Sequence, residues 1–204
     1  MHYPNDYKTA IQEFETLDDS HKEPYLYAFL GYALYLSQNF EKLLMNLIWG
    51  HKVANRKGET KEEMNAFFDK YEFGKHSMGR LIKRIKTILS LSEEESIELK
   101  QLLNLRNFIV HKYFIANERL LYAPNGYKVV IRDFLNFINL INDLEPKLHE
   151  YQLQFFKKVG LSKERIQLLI DAEVSNFQNA EIEDSYQSIP EYTSKKSDLL
   201  LDES

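Results

Sequence analysis

Between residues 25 and 54 the chain has a thirty-residue stretch with no proline and with apolar side chains around most of a helical circumference. Only a helix of about eight turns accommodates that pattern. Its middle holds Ser37, Gln38, Asn39, Glu41 and Lys42, which a bilayer would make costly to bury. The stretch therefore predicts the central helix of a water-soluble bundle, not a membrane span. The chain has only 7 Gly and 5 Pro in 204 residues, which favours long helices over a turn-rich β fold. With 44% hydrophobic and 13% aromatic residues, it can bury a sizeable core.

Other segments extend this all-α reading. Residues 1–20 predict a short helix or arm that touches the core through Tyr7, Ile11 and Phe14, and Pro24 suits the start of the long helix. Residues 61–71 read as a short amphipathic helix, followed by a break near Gly74 and Gly79. Leu81, Ile82, Ile85, Ile88 and Leu89 then recur at helical spacing. Ser92 followed by Glu95 is a capping box and predicts a helix over 93–117. Asn125-Gly126 between Leu120-Leu121-Tyr122 and Val129-Val130-Ile131 predicts a short β-hairpin insertion near 120–131.

A helix then runs over 133–159, kinked at Pro146, and a last one over 163–177. The expected organisation is one up-and-down helical domain over 1–178, with its core at about 24–156. An acidic, Ser-rich, mobile tail follows over 179–204.

The absence of cysteine rules out disulfides, thiolate metal sites and cysteine nucleophiles, and it suits a reducing cytoplasm. Residues 1–8 lack the basic and apolar regions of a signal peptide. The net charge of −5 argues against a generally basic nucleic-acid binder, while leaving room for a local basic patch. The six histidines are scattered, with no metal-ligand spacing, and neither a Gly-rich phosphate loop nor a Gly-x-Ser-x-Gly elbow is present. No cofactor or metal is expected.

The chemistry concentrates on the helix over 93–117. Stepping about 100° per residue from Arg106, the side chains of Leu99, Leu102, Leu103, Ile109, Val110 and Tyr113 fall within about 60° of it. Arg106 thus sits inside an apolar stripe, where a lone guanidinium costs several kcal/mol. Glu41 interrupts the stripe of the long helix in the same way, among Leu30, Leu34, Leu44, Met45 and Ile48. Two opposite charges in two core-facing stripes are expected to meet; alternatively, Glu41 faces an outer groove and pairs with a lysine, and Arg106 belongs to a purely structural ion pair. Asn107 and His111 lie one turn apart and share a face beside Arg106.

Imidazole titrates near neutrality, so His111 is suited to proton transfer. Arg106 is suited to holding phosphate oxygens, and Asn107 to orienting the imidazole or bonding the phosphate. Arg80, Lys83, Arg84 and Lys112, with Lys75 and Lys86, offer either a docking surface for a phosphate backbone or a solvated helix face.

The segment Arg106-Asn107-Phe108-Ile109-Val110-His111-Lys112-Tyr113 resembles the Arg-x4-His signature of the HEPN superfamily, with a polar residue directly after the arginine. Through Tyr113 it also resembles the Arg-x4-His-x-Tyr form found in HEPN toxins paired with a minimal nucleotidyltransferase antitoxin. The polar-acidic patch Ser37-Gln38-Asn39-Phe40-Glu41 on an upstream helix adds to the likeness, which spans about residues 24–156.

The resemblance implies a homodimer with two motifs facing across a two-fold cleft. It implies metal-independent RNA cleavage by 2′-hydroxyl attack, leaving 2′,3′-cyclic phosphate and 5′-hydroxyl ends. The setting it implies is a toxin or phage-defence effector, with Tyr113 as a site at which an antitoxin attaches AMP; the other reading of Tyr113 is packing, filling the apolar stripe near Arg106. The other readings carried forward are a HEPN module that binds RNA or nucleotides, or regulates a partner, without cutting, and a purely structural helical dimer.

Overall fold

A computed structural model describes residues 4, 6–72 and 76–179. The fold is all-α; among the described residues there is no strand. The chain divides into two compact units, residues 1–161 and 162–204.

In the first unit, α1 (Tyr7–Thr16) is capped by the Asp6 carboxylate, which accepts from the Thr9 amide. The central helix α2 (Asp19–Ala54) begins five residues before Pro24. Asp18 caps it by accepting from the Ser20 amide, and Pro24 lies inside the helix instead of opening it. Its core stripe is Leu26, Phe29, Ala33, Ser37, Phe40, Leu44 and Leu47, a three–four spacing that keeps one seam inward. Then follow α3 (Lys61–Glu72), α4 (Met78–Ile88), α5 (Glu93–His111), the short α6 (Tyr113–Asn117), a 3-10 turn over Glu118–Leu121, and α7 (Gly126–Lys158).

Contacts along the helices give their directions. Leu26 and Tyr127 line one cavity, and the His51 and Phe155 rings meet at 5.5 Å, so α2 and α7 run the same way. Lys147 grips Glu98 at 2.8 Å while the Tyr113 hydroxyl reaches Asp133 at 2.9 Å, so α5–α6 runs against α7. Lys86 donates to the Ser96 carbonyl, and Gly79 lies against Leu103, so α4 runs against α5. The core lies between α2, α4, α5 and α7.

The expected β-hairpin over 120–131 is not formed. Leu120 and Leu121 belong to the 3-10 turn, and α7 starts at Gly126 instead of residue 133. Val130 and Ile131 are adjacent and both buried, as are Phe134, Leu135, Phe137, Ile138 and Ile141. That is a helical period, which alternation across a strand cannot satisfy. Asn125 takes the left-handed conformation (φ 61°) as the residue before the helix. Gly126 is needed for a different reason: a Cβ there would lie 1.9 Å from the Leu120 carbonyl oxygen.

The predicted helix over 93–117 is likewise interrupted. It stops at His111, and Lys112 (φ −136°, ψ −20°) turns the chain into α6. Pro146 lies within a continuous α7.

The second unit begins before the last helix. Gly160 (φ 77°) follows the end of α7, and the Ser162 hydroxyl accepts from the Arg165 amide to open α8 (Lys163–Asn179). The tail expected over 179–204 lies outside the described residues from 180 onward, as do Gly74 and Lys75.

Candidate functional site

The expected pairing of the two stripe charges is present. Arg106 Nη2 lies 3.3 Å from Glu41 Oε1, with the side chains 27% and 21% exposed. The contact is a charge contact rather than a two-pronged fork. Glu41 Oε1 and Arg106 Nε are both buried without a protein hydrogen-bond partner among the described residues. Burial pushes the Glu41 carboxyl above its ordinary range, and the Arg106 guanidinium pulls it back only in part. The half-buried pair thus holds Arg106 at the edge of the core with donor capacity to spare.

Arg106 Nη1 also donates to Asn107 Oδ1 at 3.4 Å. Asn107 lies on the next face of α5. With Asn104, Phe108, His111 and Lys112 it lines an open depression of about 430 Å³. The structure therefore brings Asn107, His111 and Lys112 together directly and ties Arg106 to them through Asn107. His111 is exposed at the last position of α5, and among the described residues no hydrogen bond or ion pair orients its ring. Val110, expected in the buried stripe, is 39% exposed; the stripe is centred on Leu102 and Ile109 instead.

Tyr113 belongs to the core. It is 2% exposed, packs at 4.9 Å against Phe134 and edge-on against Phe108 and Phe114, and donates its hydroxyl to Asp133 Oδ2 at 2.9 Å. Burial and the Asp133 carboxylate both push its hydroxyl well above the usual phenol range. An AMP-transferring partner would have to draw this ring out of the core first.

Of the remaining basic residues, Arg80, Lys83 and Arg84 line the exposed side of α4. Because Gly79 lies against Leu103, one turn before Arg106, the Arg80 end of α4 is the end nearer the motif. Arg84 faces a separate cleft with His51 and Lys52.

Sequence reasoning missed Asn104, Phe108 and Asp133. The first two follow from the helical period once Asn107 and His111 define a face. Asp133 carries no local signal, because its role depends on the break at Lys112.

A further cavity of about 470 Å³ near the start of α2 is lined by Leu26, Tyr27, Tyr122 and Tyr127. Its charges are already engaged, Lys22 with Asp19 and Glu23 with the Tyr27 hydroxyl. Among the described residues no three His, Asp or Glu side chains gather as a metal site requires, and no helix is long and apolar enough to cross a membrane. Compared with known proteins, the chain matches no family model, no curated protein and no solved structure.

Proposed function

We propose that this chain is a HEPN-type endoribonuclease that cleaves RNA without a metal ion and acts as a toxin or defence effector. The observation that carries this reading is the arrangement around α5. A guanidinium held by Glu41 is linked through Asn107 to a depression that His111 and Lys112 also line. In this reading Arg106 holds the non-bridging oxygens of the scissile phosphate and offsets the charge that builds in the transition state. His111 takes the 2′-hydroxyl proton, or returns one to the leaving 5′-oxygen. Asn107 positions the phosphate, and Lys112, with Arg80, Lys83 and Arg84, holds the flanking backbone.

The exposed imidazole, with no partner among the described residues, suits a site completed by a second copy of the chain, with one His111 as base and the other as acid. A cytoplasmic setting and a nucleotidyltransferase antitoxin belong to the same proposal. Modification of Tyr113 by that partner requires local opening of α6.

Incubating purified protein with RNA, with and without EDTA, tests the reading directly. Wild type should cut in EDTA and leave 2′,3′-cyclic phosphate and 5′-hydroxyl ends. His111→Ala and Arg106→Ala should each lower the rate by about a hundredfold or more. Folded wild type that binds RNA and cuts none of it would sink the nuclease reading. It would favour the second one, a HEPN module that binds RNA or nucleotides without cleavage. That no group among the described residues orients His111 is the observation that favours that second reading.

A further inference from the structure

A smaller cavity, of about 150 Å³, opens where the last turns of α2 meet α3 and α4. Its polar wall is His51, Lys52, Asn55 and Arg84, and the rest is apolar, including Ile48 and Phe67. Lys52 is neutralised by Glu59. Arg84 has no carboxylate within ion-pair distance among the described residues. A third positive group approaches from α7. The Lys158 ammonium stands 6.0 Å from the centre of the Phe155 ring, and the His51 ring meets that same ring edge-on. Burial first, then the charges of Arg84 and Lys158, hold the His51 imidazole below its ordinary range. The cavity thus concentrates positive charge that the chain, although acidic overall, leaves unanswered there.

The size of the space narrows the ligand. A cavity of about 150 Å³ has room for one tetrahedral oxyanion together with bridging water. A guanidinium fork and an imidazole N–H are the donors such an ion takes. The carbonyl end of α2 would repel an anion, but the His51 carbonyl is engaged by both the amide and the side-chain NH2 of Asn55, at 3.1 and 2.8 Å.

We propose that this cavity binds a tetrahedral oxyanion, a phosphate group or its equivalent, gripped by Arg84 and His51. The site shares Arg84 with the ribonuclease reading, but His51 and the cavity itself have no part in that reading.

A consequence follows for protons. Among the described residues, the charged groups that shift His51 when the cavity is empty are positive: Arg84 from α4 and Lys158 from α7. On its own helix Lys52 is paired with Glu59, and Asn55, Phe67 and Phe155 are neutral. A bound anion reverses this field and returns a proton to the imidazole. Binding should therefore take up a proton and tighten as pH falls.

The test is sulfate titration of the full chain at constant ionic strength, followed through the His51 imidazole resonance, which His51→Gln identifies. Sulfate keeps a fixed charge over the range used, so any pH dependence belongs to the protein. Sulfate should shift the resonance saturably, raise its titration midpoint and bind at least about threefold more tightly near pH 6 than near pH 8. Arg84→Ala removes an exposed side chain, and with an unchanged circular dichroism spectrum it should weaken binding about tenfold. A resonance that responds to sulfate no more than to chloride, or equally in Arg84→Ala, overturns the proposal. Comparing inorganic phosphate with a short 5′-phosphorylated oligoribonucleotide identifies the source. A gain for the oligonucleotide names a nucleic-acid end, equal affinity names a free anion, and both support the site.

Discussion

Glu41 and Arg106 show how far single residues can be read from a sequence. A charge inside an apolar stripe has few inexpensive solutions, so two opposite charges in two facing stripes predicted their own contact, and the structure contains it. The strength of the pair is a separate matter. The folded-state pKa of Glu41 is raised, so ionising it costs more in the fold than in the unfolded chain. Its contribution to stability is therefore greatest below the unfolded-state value and declines as pH rises through the folded-state value. Relative to Glu41→Gln, which does not titrate, wild type should be more stable near pH 4 than near pH 7. Urea midpoints followed by the fluorescence of the single tryptophan measure this, and a gap that moves the other way means Arg106 outweighs burial. Tyr113→Phe isolates another buried polar contact. Losing the hydroxyl that Asp133 accepts should cost about 1–2 kcal/mol while the ring packing stays in place.

At the scale of elements, strong local signals succeeded where nothing longer-ranged competed with them. The Ser92–Glu95 box is present in both directions, at 3.1 and 2.6 Å, and α5 starts where it predicts. Ser92→Ala should cost about 1 kcal/mol by chemical denaturation. Asn125-Gly126 misled because a two-residue turn signal was weighed without the apolar period that follows it. From Tyr127 to Ile141 that period is helical, and packing of this face on α2 decides the outcome. Gly126→Ala tests the rearranged corner. The 1.9 Å approach of a new Cβ to the Leu120 oxygen cannot be relieved by a rotamer, so the loss should be about 3 kcal/mol, read from the thermal midpoint. The stop at Lys112 could not have been read locally. Tyr113 turns the chain there by entering the core against Phe134 and Asp133, about twenty residues further on.

For the whole molecule, the all-α architecture was legible because low glycine and proline content and long apolar periods admit little else. Of the depression's lining, Asn107, His111 and Lys112 could be picked out in the sequence, but not its shape, which depends on where α5 stops. If the site is completed by a second copy, cleavage per mole of protein should fall on dilution as dimers separate. A rate strictly proportional to protein concentration across the dissociation range would argue for a self-sufficient single chain.

With 36 residues, α2 is about 54 Å long, and it packs on α3, α4 and α7. Its central amides are released to solvent only when those neighbours detach together. Backbone deuterium uptake should therefore be slowest around Phe40 to Ile48, at the rate of global unfolding, and fast in the five residues of α6. The α2 rod carries Glu41, and the short α6 begins directly after Lys112, so the guanidinium is moored to a 36-residue helix while the imidazole stands where α5 gives way to a five-residue one.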